Sequence, residues 1–132
     1  MILLTNTEPQ TVPAGGSVTF GTVVFQTGNG ECHRGGSAAV SLRFKGIYEV
    51  EFSANVGGVE AGDVTIQLEL DGDVLPETVM ESVTAAAGDL ENVSTMTAIR
   101  NCCGDAGRIT VVNGGDADVT VANPKLYVKR VA

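Results

Sequence analysis

The sequence predicts an all-β chain, a two-sheet antiparallel sandwich or jelly roll. Three observations carry this. The chain has 17 Gly, abundant Val and Thr, and no Trp, a balance that favours strands and tight turns over helices. Apolar residues recur with a two-residue period in several segments, and no segment shows a helical period. Turn signals separate about eight or nine such segments at short, regular spacing, which describes two packed sheets. At 132 residues the chain forms one domain, 1–132, because a single core at this size buries roughly two-thirds of the surface that the unfolded chain exposes.

Residues 1–16 open with Met1-Ile2-Leu3-Leu4 and then Pro9 and Pro13. They suit either an N-terminal docking arm or a strand that closes a sheet. Ser17 to Gln26 is β-branched and aromatic and reads as a strand, or as two with a bend at Gly21. Cys32-His33 precedes Gly35-Gly36 in what reads as an exposed loop. Ala39 to Phe44 alternates until Lys45-Gly46 interrupts it. Ile47 to Val56 is the clearest alternation, with Tyr48, Val50, Phe52 and Ala54 on one face and Glu49, Glu51 and Ser53 on the other.

Asp63 to Leu70 places Val64, Ile66, Leu68 and Leu70 on one face and ends at Asp71-Gly72, a two-residue hairpin signal. A partner strand returns from Val74, with Pro76 confined to its start or to a sheet edge. Glu81 to Glu91 is too short and too rich in Val and Thr for a helix and reads as a connecting loop. Three strands follow: Asn92 to Cys102, Arg108 to Val112, and Val119 to Val131 with an interruption at Pro124. The expected core comprises Phe20, Phe44, Tyr48, Val50, Phe52, Ile66 and Leu68.

Charge and composition narrow the function. With 16 Asp and Glu against 8 Lys and Arg, the net charge of −8 repels a phosphate backbone and an anionic membrane, so neither nucleic acid nor membrane is an expected partner. The first residues lack the basic leader and the apolar run of about 7–15 residues of a signal peptide. No stretch approaches the ~18 apolar residues of a membrane span. The expected site of synthesis is a cytoplasm, and an odd count of three cysteines fits that better than a disulfide framework.

Candidate chemical groups are few. Cys32, His33, Cys102 and Cys103 supply zinc-type ligands, but neither pair has the two-to-four-residue gap by which one loop supplies two of them. A disulfide from Cys32 to Cys102 or Cys103 is an alternative, and buried free thiols are the default. The acidic turns Asp71-Gly72-Asp73 and Asp116-Ala117-Asp118 would hold calcium only if they converged. His33 is the single histidine, so any nucleophile–base pair must use it. The glycine-rich stretches precede strands, not helices, and so lack the helix N-terminus of a phosphate cradle. The expectation is a non-enzymatic protein with no cofactor. The alternatives are a polysaccharide-acting hydrolase and a soluble bacterial ligand-binding protein.

The succession Val18-Thr19-Phe20, Val23-Val24, Asn29, a Gly-containing loop and Gly46-Ile47-Tyr48-Glu49-Val50-Glu51-Phe52 resembles the globular heads of the complement and tumour necrosis factor (TNF-like) jelly-roll superfamily. There, a Gly-x-Tyr-x-(apolar)-x-Phe strand crosses the centre of the inner sheet. Leu68 to Gly72, Gly104-Asp105 and Leu126-Tyr127-Val128 are similar to later parts of such heads. The chain also resembles head-fibre and virion accessory proteins of phages and prophages of gut Firmicutes, Cys102-Cys103-Gly104 being part of that likeness.

The resemblance implies a homotrimer packed through the outward side of the inner sheet, with aromatic residues at the contact. It implies a place in a virion, as capsid decoration or head fibre, with other virion proteins or a host-surface glycan as further partners. Glu49 and Glu51 depart from an apolar contact. If they face the axis they need cationic partners, since a buried unpaired charge costs several kcal/mol, and Arg43, Arg100, Lys129 and Arg130 are the candidates. Tyr127 is the expected aromatic contact. The expected interface set is Glu49, Glu51, Arg100, Tyr127 and Lys129.

Overall fold

The computed structural model describes residues 1–28, 30–101 and 107–132. Within them the chain forms β1 (Ile2–Thr5), β2 (Gln10–Val12), β3 (Thr22–Gln26), β4 (Glu31–His33), β5 (Val40–Leu42), β6 (Gly46–Gly58), β7 (Gly62–Leu70), β8 (Asp73–Val74), a 3-10 turn (Pro76–Thr78), β9 (Met80–Thr84), β10 (Glu91–Asn101), β11 (Gly107–Asn113) and β12 (Val119–Arg130). They make two six-stranded sheets. The first runs β10-β6-β12-β1-β3, with β2 paired to β12, and the second runs β4-β5-β11-β7-β8, with β9 paired to β7. Every pairing is antiparallel.

The alternation in β6 sets the architecture. Tyr48, Val50, Phe52, Ala54 and Val56 are buried between the sheets, because a period of two sends every second side chain to the same face. Ile2, Leu4, Leu126 and Val128 extend this inner layer across β1 and β12, and Val40, Leu42, Val64, Ile66, Leu68, Ile109 and Val111 face it from the second sheet. The expected core residues Phe20, Tyr48, Val50, Phe52, Ile66 and Leu68 all lie in this cluster.

Phe44 does not; it is 44% exposed. Continuing the alternation past Val40 and Leu42 would bury it, but β5 ends at Leu42 and the chain turns. The turn is fixed from within. The Tyr48 hydroxyl donates to the Phe44 carbonyl oxygen at 2.9 Å and accepts from the Phe44 N–H at 3.3 Å. Asn101 Nδ2 donates to the Leu42 and Phe44 carbonyl oxygens at 3.1 and 2.9 Å. Tyr48→Phe is therefore expected to destabilise the fold by about 1–3 kcal/mol by leaving the Phe44 N–H unpaired and its carbonyl with Asn101 alone, a loss readable in urea denaturation.

Two readings left open resolve and two further expectations are corrected. Of the alternatives for residues 1–16 the strand is the one observed, since β1 lies inside the first sheet between β12 and β3, and β2 pairs with β12. Of the alternatives for Ser17 to Gln26, the division into two pieces is the one observed. Ser17 bridges to Val112 and the Val18 N–H donates to the Val111 oxygen, both in the second sheet, whereas Thr22–Gln26 pairs with β1 in the first. Cys32 and His33 belong to β4 and not to a loop. The first part of the expected loop Glu81 to Glu91 is strand β9, which pairs with β7 from Gly62↔Thr84 to Ile66↔Met80.

The Asp71-Gly72 turn is as expected, with positive φ at both residues (53° and 86°), the backbone that a two-residue hairpin of this twist requires. Pro124 does not break β12. Asn123 (φ 51°) and Pro124 are extra residues, and the register shifts between Ala122 and Lys125. Two residues then oppose Ala54, a β-bulge. This reverses the parity of the strand: Val119 and Val121 point inward before the bulge, and Leu126 and Val128 after it. Lys125, Tyr127 and Lys129 are thereby turned outward.

Candidate functional site: the outward face of the first sheet

The residues expected at an interface lie on one face. Partners across an antiparallel ladder share a side of the sheet, so the register reads out that face directly. Met96 pairs with Glu51, Glu51 with Tyr127, Tyr127 with Leu3, and Leu3 with Phe25, making one continuous row across β10, β6, β12, β1 and β3. One step along lies Ala98–Glu49–Lys129, and beyond it Arg100–Ile47. In the other direction lies Ser94–Ser53–Lys125–Thr5. Glu49, Glu51, Arg100, Tyr127 and Lys129 are thus on the same outward surface.

Residues outside the expected set make the face apolar. Met96 is 59% exposed, Phe25 40%, and Ile47 is also exposed; Leu3 and Tyr127 are half-buried. Met96 follows from the alternation of β10, whereas Leu3 and Phe25 join the face only because β1 pairs with β12, a contact between the two ends of the sequence. The second sheet is different: across its centre the outward positions Ser41, Thr65, Gln67, Glu69, Arg108 and Thr110 are polar, and Val74 and Val83 are exposed on its edge strands.

The charges on the first sheet are segregated by strand. The outward positions of β6 hold Glu49 and Glu51, and those of β12 hold Lys125 and Lys129. Glu49 and Lys129 are register partners, yet among the described residues the single ion pair joins the Met1 ammonium to Glu31. A hollow of about 210 Å³ opens between Met96, Ser94, Ser53, Glu51 and Lys125, where the two serines leave room.

A second concave region lies at one end of the sandwich. About 440 Å³ is bounded by Phe44, Lys129, Arg130, Gly28 and Gly30, with the buried Glu31 beneath. The Glu31 carboxylate is already engaged, accepting from the Met1 ammonium at 2.5 Å and from the Arg130 N–H at 2.9 Å.

The other candidates are not brought together. Cys32 and His33 are successive residues of a strand and so point to opposite faces. Cys32 Sγ accepts from Arg43 Nη2 at 3.1 Å. His33 has Nε2 2.8 Å from the Phe20 oxygen and Nδ1 2.9 Å from the Ala39 oxygen. Both ring nitrogens are occupied by the backbone, so His33 ties β4 to the Phe20 segment and presents no free nitrogen to a metal or a nucleophile. Cys102, Cys103, Gly104 and Asp105 lie outside the described residues, as does Asn29. No group of three or more metal-ligating side chains occurs among the described residues. The turns Asp71-Gly72-Asp73 and Asp116-Ala117-Asp118 do not converge. Leu70 pairs with Ile109 and Ile66 with Asn113, which places the turns at opposite ends of β11, and Asp71 Oδ1 accepts from the Arg108 N–H at 2.9 Å.

No protein-family model and no curated protein matches the sequence. Solved structures match over almost the whole chain. The Eiger TNF from S. frugiperda aligns with a TM-score of 0.73 at 11% identity, covering 99% of this chain and 91% of that one. The globular domain of zebrafish complement 1qA protein gives 0.69 at 11%, covering 96% and 94%. The PRD1 vertex protein P5 gives 0.55 at 14%, covering 99% and 96%. At such identities the likeness is one of architecture, and together with the two antiparallel sheets it establishes the fold: the chain is a TNF-like jelly roll.

Proposed function

We propose that the protein is a non-catalytic structural and binding head that works as a homotrimer, packed through the outward face of the first sheet, and that it serves in a phage virion as capsid decoration or head fibre. The row Met96–Glu51–Tyr127–Leu3–Phe25 carries this reading. Contiguous exposed apolar surface marks an interaction site, and here it forms a continuous row on one sheet, while the other carries Val74 and Val83 at its edge and polar residues across its centre. Enrichment in aromatic residues and Met is the composition of an interface core. The similarity of fold to the PRD1 vertex protein P5 supports the virion setting.

Covering that face leaves the strand ends free to meet other virion proteins or a host-surface glycan. Phe44, whose backbone Tyr48 and Asn101 hold, with Arg130 beside it, is the surface we assign to such a partner. The experiment is the mass in solution by light scattering. Three times 13.6 kDa is expected, and a monomer at all accessible concentrations removes the trimeric reading.

A further inference from the structure

We propose that the two halves of this face are complementary between copies: the β10–β6 half of one protomer seats on the β12–β1–β3 half of the next, with Glu49 and Glu51 meeting Lys125 and Lys129 across the contact. The inference rests on the trimeric reading and specifies what holds the trimer together.

Three features converge on it. First, sign segregates between the two central strands, β6 carrying Glu49 and Glu51 and β12 carrying Lys125 and Lys129, with Arg100 of β10 standing apart in the row of Ile47, in a chain that carries twice as many acidic as basic residues. Charge patterning of this kind fixes partner orientation and register. Second, none of the four charged groups makes an ion pair within the chain among the described residues, although Glu49 and Lys129 are opposite each other in the ladder. Covering this face with an apolar partner would leave four charges desolvated and unpaired, each at a cost of several kcal/mol. A second copy brings the opposite sign to each of them.

Third, the apolar groups divide along the same line. Met96 stands on the acidic half, beside the hollow that Ser53 and Ser94 leave open. Tyr127, Leu3 and Phe25 stand on the basic half. A thioether against aromatic rings is a favourable contact, and the hollow has room for one large side chain from the neighbour. Because each copy uses two different patches, the contact is heterologous and repeats head to tail, and it closes a ring when the rotation permits.

The test is charge exchange, read by light scattering and sedimentation. E49K/E51K and K125E/K129E each place like charges across every contact, and each is expected to raise the dissociation constant by at least about 100-fold, giving monomers where the wild type is trimeric. The combined E49K/E51K/K125E/K129E variant restores opposite signs and is expected to recover the trimer to within about tenfold. All four side chains face outward, so thermal melts of the isolated protomers check that no variant is unfolded. Wild-type trimers with a four-fold variant that stays monomeric, or with double variants that assemble normally, overturn the inference. A pairing inside each chain would move the protomer's melting temperature and leave the mass unchanged. A wild type that is monomeric overturns instead the trimeric reading on which it rests.

Discussion

Phe52→Asp is expected to abolish the folded state: no cooperative thermal transition, and a circular dichroism spectrum without β structure. Phe52 is 1% exposed at the middle of β6, opposite Leu126 on one side and Thr95 on the other. Removing a buried phenylalanine costs about 3–5 kcal/mol. The carboxylate adds several more, because Phe52 belongs to the apolar cluster between the sheets. A domain of this size is stable by only about 5–15 kcal/mol in total, so the substitution exceeds or nearly exceeds the whole margin. A soluble, normally melting Phe52→Asp protein would show that the inward and outward faces of β6 are exchanged. Glu51→Gln, one residue away on the outward face, is the control, with an expected effect on protomer stability within about 0.5 kcal/mol.

Tyr127→Arg should do the reverse, dispersing the assembly while sparing the protomer. Tyr127 is at the centre of the row, between Glu51 and Leu3, where interface tyrosines contribute most. Losing such a residue costs about 2 kcal/mol or more of binding, at least about a 30-fold weaker association. The introduced guanidinium also stands between Lys125 and Lys129, so the repulsion adds to the lost contact area. The expected mass is that of one chain, 13.6 kDa, with a melting curve of the protomer that is unchanged. Trimers that persist in this variant would place the contact on another surface.

Much of the fold was legible because its local signals were strong. The β6 alternation fixed which side chains meet the second sheet, and Asp71-Gly72 fixed a hairpin whose backbone demands positive φ. Strand β9 was hidden because Val83 points outward and its inward positions are Met80 and Thr84, a pattern too polar to stand out from a loop. Phe44 was misplaced because alternation says nothing about where a strand stops; the side chains of Tyr48 and Asn101, distant in sequence, decide that. The interface set shows the same division. Glu49 and Glu51 follow from β6 alone, and Tyr127 and Lys129 were named from the resemblance. Strict alternation from Val119 and Val121 would have buried both, and the bulge at Asn123-Pro124 is what turns them outward. Lys125 was missed for that reason. Leu3 and Phe25 were missed because no local pattern announces that the start of the chain lies beside β12.

That adjacency governs when the protein becomes itself. The strand at the heart of the first sheet, β12, follows all the others in chain order, yet both β6 and β1 need it as their neighbour. During synthesis the sheet must therefore wait in two separate pieces, β10-β6 and β1-β3, until the ribosome has delivered the strand that joins them. Closing contacts of such long sequence separation is slow. The same strand carries Tyr127, so on the trimeric reading nascent chains on one messenger lack their contact surface until β12 has emerged. Association is thereby deferred until the jelly roll can close, a safeguard against entangling half-folded neighbours on a polysome.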